Sequence, residues 1–113
     1  MAVTRGEVWM ADLSPTRGTE QSGTRPVLVV QTDRANPHSP HTVVVPFTTR
    51  IRQRLLPSHV QAAAGEGGLT QDSVALCEQI RVMELARLIR KMGDLPAGRM
   101  QEVNNALRAI LEL

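Results

Sequence analysis

A chain of 113 residues, 42% hydrophobic and 21% charged, is long enough for one modest core and is read as one continuous domain, 1–113. Its only aromatics are Trp9 and Phe47, which argues against nucleic-acid binding on aromatic stacking platforms. The single cysteine excludes an intrachain disulfide, and a net charge of +2 gives only weak steering.

The chain begins with strand signals. Glu7 to Leu13 is a short mixed run ended by Ser14-Pro15. A polar, Gly-rich stretch follows, Thr16-Arg17-Gly18-Thr19-Glu20-Gln21-Ser22-Gly23-Thr24, which leads into Arg25-Pro26. Pro26 to Gln31 and Thr42 to Phe47 are β-branched and nearly continuous in apolar residues, as central strands buried on both faces would be. Between them, Asn36-Pro37-His38-Ser39-Pro40-His41 is a turn-forming loop. Ser58 to Ala62 is a weaker strand, Gly65-Glu66-Gly67-Gly68 a turn, and Asp72 to Ile80 another strand. Met83 to Arg90 fits a helical turn over Glu84 to Arg87 before a short strand through Leu88-Ile89-Arg90. Short strands at this spacing predict a compact barrel or a curled sheet. The period then changes: Met100, Val103, Leu107, Ile110 and Leu111 form one stripe of an amphipathic helix, with Asp94 available as its cap and Pro96 in the first turn. That helix should lie across the sheet or against a second subunit.

Chemistry-bearing residues concentrate in the N-terminal half. Through residue 60, seven Arg stand against four acids, whereas beyond it six cations face seven acids. All but one of the 13 cations are Arg, whose planar fork suits phosphates and base edges. Arg25 stands before Pro26, which biases it toward extended geometry and gives its side chain a defined direction. That suits a charge at a strand edge and a phosphate-facing site equally well. Thr48 and Thr49 end a central strand and open into Arg50-Ile51-Arg52-Gln53-Arg54. There a hydroxyl can bond the turn backbone or serve as a donor in a site beside guanidiniums. Glu78 and Gln79 leave an apolar strand where side chains can read base edges.

Other chemistries find little support. His38 and His41 are separated by Pro40 and lack a neighbouring Cys or carboxylate, so a zinc site is not expected. The carboxylates never cluster as a magnesium nuclease needs, so neither metal nor cofactor is expected. His59 reads as a half-exposed strand residue and Cys77 as a buried structural thiol. No phosphate-binding loop, dinucleotide fingerprint or nucleophile elbow is present. Without an apolar run of membrane-spanning length or a signal-peptide core, the expected location is the cytoplasm, with no membrane association.

Taken in order, Arg5-Gly-Glu-Val-Trp9, the Gly18 to Pro26 loop, Val45-Pro-Phe-Thr-Thr49, Asp72-Ser-Val-Ala-Leu76, Glu78-Gln-Ile-Arg81 and the C-terminal helix resemble the MazF/PemK family of toxin endoribonucleases. The resemblance spans essentially the whole chain. It implies a mainly β (α+β) fold, an SH3-like barrel of the CcdB/PemK type with an amphipathic C-terminal helix. It implies a homodimer, and an antitoxin whose acidic, partly disordered segment covers an RNA groove. It also implies sequence-specific cleavage of single-stranded RNA without metal, by attack of a ribose 2′-hydroxyl that leaves a 2′,3′-cyclic phosphate and a 5′-hydroxyl. By the same resemblance Arg25 and Thr48 are the catalytic pair. Glu20 handles substrate, and Arg5, Gln21, Thr49, Ser73, Glu78 and Gln79 fall along the RNA groove. A non-enzymatic toxin of the same barrel class that binds a protein such as gyrase, and a non-catalytic RNA-binding module, are the alternatives. The Arg50 to Leu56 loop, unusually rich in Arg, leaves the cleavage sequence open.

Overall fold

The computed structural model describes residues 2–14, 23–51 and 55–113. Glu20, Gln21, Arg52 and Arg54 therefore lie outside the described residues. Among the described residues, seven strands, β1 (Glu7–Asp12), β2 (Thr24–Val29), β3 (His41–Thr48), β4 (His59–Ala62), β5 (Ser73–Leu76), β6 (Arg81–Glu84) and β7 (Leu88–Asp94), precede one α-helix, α1 (Ala97–Leu111). All ladders are antiparallel, in the order β4-β5-β3-β2-β1-β7, with β6 beside β3. The mainly β architecture with a C-terminal helix is the one expected. The barrel is not closed, because no ladder among the described residues joins β6 to β7. A 3₁₀ turn, Leu85–Arg87, connects them instead. Among the described residues, no helix is long and apolar enough to cross a membrane.

The two β-branched runs are central strands, as their composition predicts. Val27, Leu28, Val29, Val44 and Val45 are all fully buried. Alternation along each strand divides the core in two. One cluster, with Val8, Leu28, Val45, Phe47 and Ala75, packs under Val103, Ala106 and Leu107 of α1. The other, with Ala11, Leu13, Val27, Val29, Val44, Met83 and Leu88, lies on the opposite side of the sheet.

Three expectations change. The run from Asp72 to Ile80 is not one strand: β5 ends at Leu76 and Cys77–Gln79 forms a 3₁₀ turn. That turn lets one edge of β3 carry two partners, β5 at Phe47 and Thr48 and β6 from His41 to Val44. Asp94 does not cap α1. It closes β7 with its carboxylate 3.3 Å from Lys91 Nζ, and Pro96 occupies the N-cap with no side-chain capping bond. The apolar stripe of α1 is buried only in part, for Ile110 and Leu111 remain exposed beyond the sheet.

Glu7 anchors the β1–β7 pair. Its buried carboxylate accepts from Thr4 N–H at 3.0 Å and Trp9 Nε1 at 3.0 Å, and pairs with Lys91 Nζ at 3.1 Å. Burial pushes its pKa up, but the donors from Trp9, Thr4 and Lys91 outweigh that and hold it below the usual value of 4.5. A carboxyl with a depressed folded pKa stabilises fully above its unfolded value and loses that contribution as pH falls. Urea melts of the wild type and Glu7→Gln should therefore differ by a constant margin near neutral pH. The margin should narrow as pH drops below the usual value of 4.5. A margin that stays constant down to about pH 3 would contradict this account.

Candidate functional site

The ladders decide which polar residues share a face. Paired residues in β2 and β3 run Val27↔Pro46, Leu28↔Val45 and Val29↔Val44. Continued two residues further, that register sets Arg25 opposite Thr48. Arg25 pairs with Ala11 on its other side, Thr48 with Val74, and Val74 with Gln61. Directly opposed residues project to the same side of a sheet. Ala11, Arg25, Thr48, Val74 and Gln61 thus form one row, on the face that buries Val27 and Val44. Arg25 and Thr48 are both half-buried at the end of that face.

Thr48 Oγ1 accepts from Arg50 N–H at 3.1 Å, the backbone bond that a threonine at a strand end favours. With one lone pair held there, the hydroxyl hydrogen stays available to donate. Arg81 and Arg87, to which sequence reasoning assigned no role, bind the backbone at the end of β1. Arg81 Nη1 donates to Leu13 O at 3.4 Å, and Arg87 Nη1 to Ser14 O and, at 3.5 Å, to Asp12 O. Leu13 N–H bonds Gly23 O at 2.9 Å, so both roots of the Gly-rich stretch are pinned close to Arg25.

The other residues singled out from sequence divide. Thr49 follows Thr48 and is exposed. Glu78 and Gln79 lie in the 3₁₀ turn beside β3 and β4. Arg5 is not brought to this end. Its Nε donates to Val30 O at 2.8 Å and its Nη2 to Asn104 Oδ1 at 2.7 Å, tying the far end of β2 to α1. Five residues separate Arg25 from Val30, about 16 Å of extended chain. Ser73 is buried, points to the α1 side with Ala75, and donates its hydroxyl to Gln71 O at 2.9 Å.

His59 is the residue whose surroundings sequence missed. It is a strand residue of intermediate burial, as expected, but its side chain is only 6% exposed. Nε2 lies 2.9 Å from Glu78 Oε2, while Ser58 Oγ donates to Glu78 Oε1 at 3.0 Å. Burial raises the pKa of Glu78, but hydrogen bonds from His59, its own amide and Ser58 outweigh this and keep it below the usual carboxylate range. No sequence signal joins positions 59 and 78; only the β4–β5 pairing and the turn after β5 do so. Cys77 is a poor nucleophile, since burial and the adjacent Glu78 push its thiol up to about 12. Among the described residues no three metal-ligating side chains converge.

Residues 4–111 match the model of a family described as PemK-like, MazF-like toxin of type II toxin-antitoxin systems. The chain belongs to that family. It is 44% identical to the curated endoribonuclease MazF of Staphylococcus saprophyticus subsp. saprophyticus over 109 residues, 96% of this chain and 91% of that one. Among solved structures, Mycobacterium tuberculosis toxin MazF-mt6 superposes with a TM-score of 0.79 at 27% identity, covering 95% of this chain and 97% of the other. A mycobacterial endoribonuclease solved with its cognate antitoxin gives a TM-score of 0.82 at 25% identity, covering 99% and 97%.

Proposed function

We propose that this chain is a toxin endoribonuclease that cleaves single-stranded RNA, with Arg25 and Thr48 at the scissile phosphate. The observation that carries the reading is their alignment: one guanidinium and one hydroxyl in a single row on one face of the sheet. The sequence of the curated relative, an endoribonuclease by name, supports the reaction class.

The chemistry proposed uses the substrate's own nucleophile. A ribose 2′-oxygen attacks the adjacent phosphorus and loses its proton to solvent water, and the phosphorus–5′-oxygen bond breaks, the leaving oxygen taking a proton from water. The products are a 2′,3′-cyclic phosphate and a 5′-hydroxyl. The protein holds the groups in line and neutralises charge gathering on the phosphoryl oxygens. Arg25 donates a bidentate pair to them. Because a guanidinium releases a proton only at very high pH, its part is electrostatic rather than acidic. Thr48 donates to the second oxygen. This route needs no metal ion.

The toxin is proposed to act in the cytoplasm as a homodimer, restrained by an antitoxin whose acidic, partly disordered segment covers the RNA-binding face. The antitoxin bound to the mycobacterial neighbour supports that partnership. Incubating the purified protein with a long unstructured RNA in EDTA, and mapping the ends, tests the function. RNA should be cut at short recurring sequences with cyclic phosphate termini, while DNA of the same sequence survives. RNA bound and released intact would instead point to a binding module. Intact RNA together with capture of a protein target such as gyrase would point to a non-enzymatic toxin.

A further inference from the structure

The Ser58–His59–Glu78 group lies outside the Arg25–Thr48 pair, but its imidazole stands on the same side of the sheet. His59 pairs with Leu76 and sits two residues from Gln61 along β4, so alternation puts it on the side of Gln61, Val74 and Thr48. Two strand spacings and two residues separate it from Thr48, on the order of 12 Å. That is too far to act on the phosphate held by Thr48, and a suitable distance for a neighbouring nucleotide.

The hydrogen bonds determine how His59 is protonated along its ring. Leu56 N–H donates to Nδ1 at 3.2 Å, so Nδ1 carries no hydrogen. Nε2 then carries it and donates to Glu78 Oε2. His59 N–H also bonds Leu56 O at 2.9 Å, closing a tight turn that holds the ring in place. Glu78 thus receives three donors, from His59, Ser58 and its own amide. An ionised carboxylate has about four acceptor directions, so roughly one remains, on a side chain that is 30% exposed. A single remaining acceptor suits the exocyclic amino group of a nucleobase. It disfavours uracil, whose one ring N–H is flanked by two carbonyl oxygens that a carboxylate repels.

We propose that His59 is a positioning residue which, with Ser58, presents the Glu78 carboxylate to an amino-bearing base of the bound RNA. Glu78 thereby selects adenine, cytosine or guanine over uracil at one position beside the cut. The inference rests on the ribonuclease reading and adds a specificity element to it. Ser58 and His59 act only through Glu78.

Two substitutions of the imidazole separate its two bonds. Glutamine reaches the Nε2 position and keeps the donor to Glu78, whereas asparagine reaches only the Nδ1 position and keeps the acceptor for Leu56 N–H. Each protein would cut a randomised single-stranded RNA pool, with ends mapped and urea midpoints confirming folding. The wild type and His59→Gln should disfavour uracil at one position by about tenfold or more. His59→Asn should lose that discrimination at the same position. Glu78→Gln, which exchanges an acceptor for a donor, should lose or invert it. KM for the preferred sequence should rise more than kcat falls in both.

Discrimination kept in His59→Asn and Glu78→Gln would overturn the inference, as would its loss in His59→Gln alone. A wild type that cuts RNA but nowhere separates amino-bearing bases from uracil would also overturn it, leaving the ribonuclease reading intact. A wild type that cuts no RNA would remove both.

Discussion

Arg25→Ala should lower kcat/KM for RNA cleavage by roughly 10²–10³-fold, the cost of deleting one preorganised donor to a developing anion. Folding should be little affected. Arg25 is half-buried at the start of β2, away from the fully buried Val27, Leu28 and Val29 that carry the strand's packing. Its urea midpoint should therefore imply a loss within about 1 kcal/mol. Arg25→Lys should fall between wild type and alanine. Lysine retains the charge but not the planar fork that binds two phosphoryl oxygens at once. Single-turnover cleavage of a mapped RNA distinguishes these outcomes from a binding defect. Cleavage by Arg25→Ala at the wild-type rate would remove Arg25 from the reaction centre. Thr48→Val, which keeps the shape and deletes the hydroxyl, should have a smaller effect in the same direction.

The largest expected loss of stability is at Gly68. Its φ is +73°, and a Cβ there would stand 2.1 Å from the carbonyl oxygen of Met92 and 2.6 Å from its carbon. The obstacle is backbone of β7, which cannot yield as the end of a flexible side chain can. Left-handed strain of about 1–2 kcal/mol adds to about 1–3 kcal/mol of overpacking, so Gly68→Ala should cost about 2–5 kcal/mol. Gly65→Ala separates the two contributions. Gly65 also has a positive φ, +94°, but nothing lies within 4 Å of the added methyl. It should lose only the strain, about 1–2 kcal/mol. Equal urea midpoints for the two variants would show that the contact with Met92 is unimportant.

The Gly65 to Gly68 turn illustrates how much a sequence discloses. Its glycines mark a turn unaided, but their necessity comes from a partner far away in the chain. Gly67 and Gly68 press against Met92, Gly93 and Val8, which reach them only after β1 and β7 have paired. The central strands were legible because continuous β-branched runs have few alternatives to full burial. Phe47, Val44 and Val45 sit in the core accordingly. The break in the Asp72 to Ile80 run was not legible. An apolar run carries no mark of where its partner ends, and here β3 changes partners between β5 and β6.

The site was legible unevenly for the same reason. Arg25 and Thr48 each stand at the end of a recognisable strand, so their directions follow from local geometry, and family resemblance supplied their roles. The same resemblance also put Arg5 in the groove, yet its guanidinium is engaged with Val30 and Asn104 at the other end of β2. His59 carried no signal at all. Local chemistry along the chain thus determined the strands, the C-terminal helix, the arginine-rich N-terminal half and the family. Strand register determined the rest: that Arg25 stands opposite Thr48, that Ser73 faces away, and that His59 meets Glu78. Register depends on contacts between distant segments, and a shift of one residue would move every side chain of a strand to the other face.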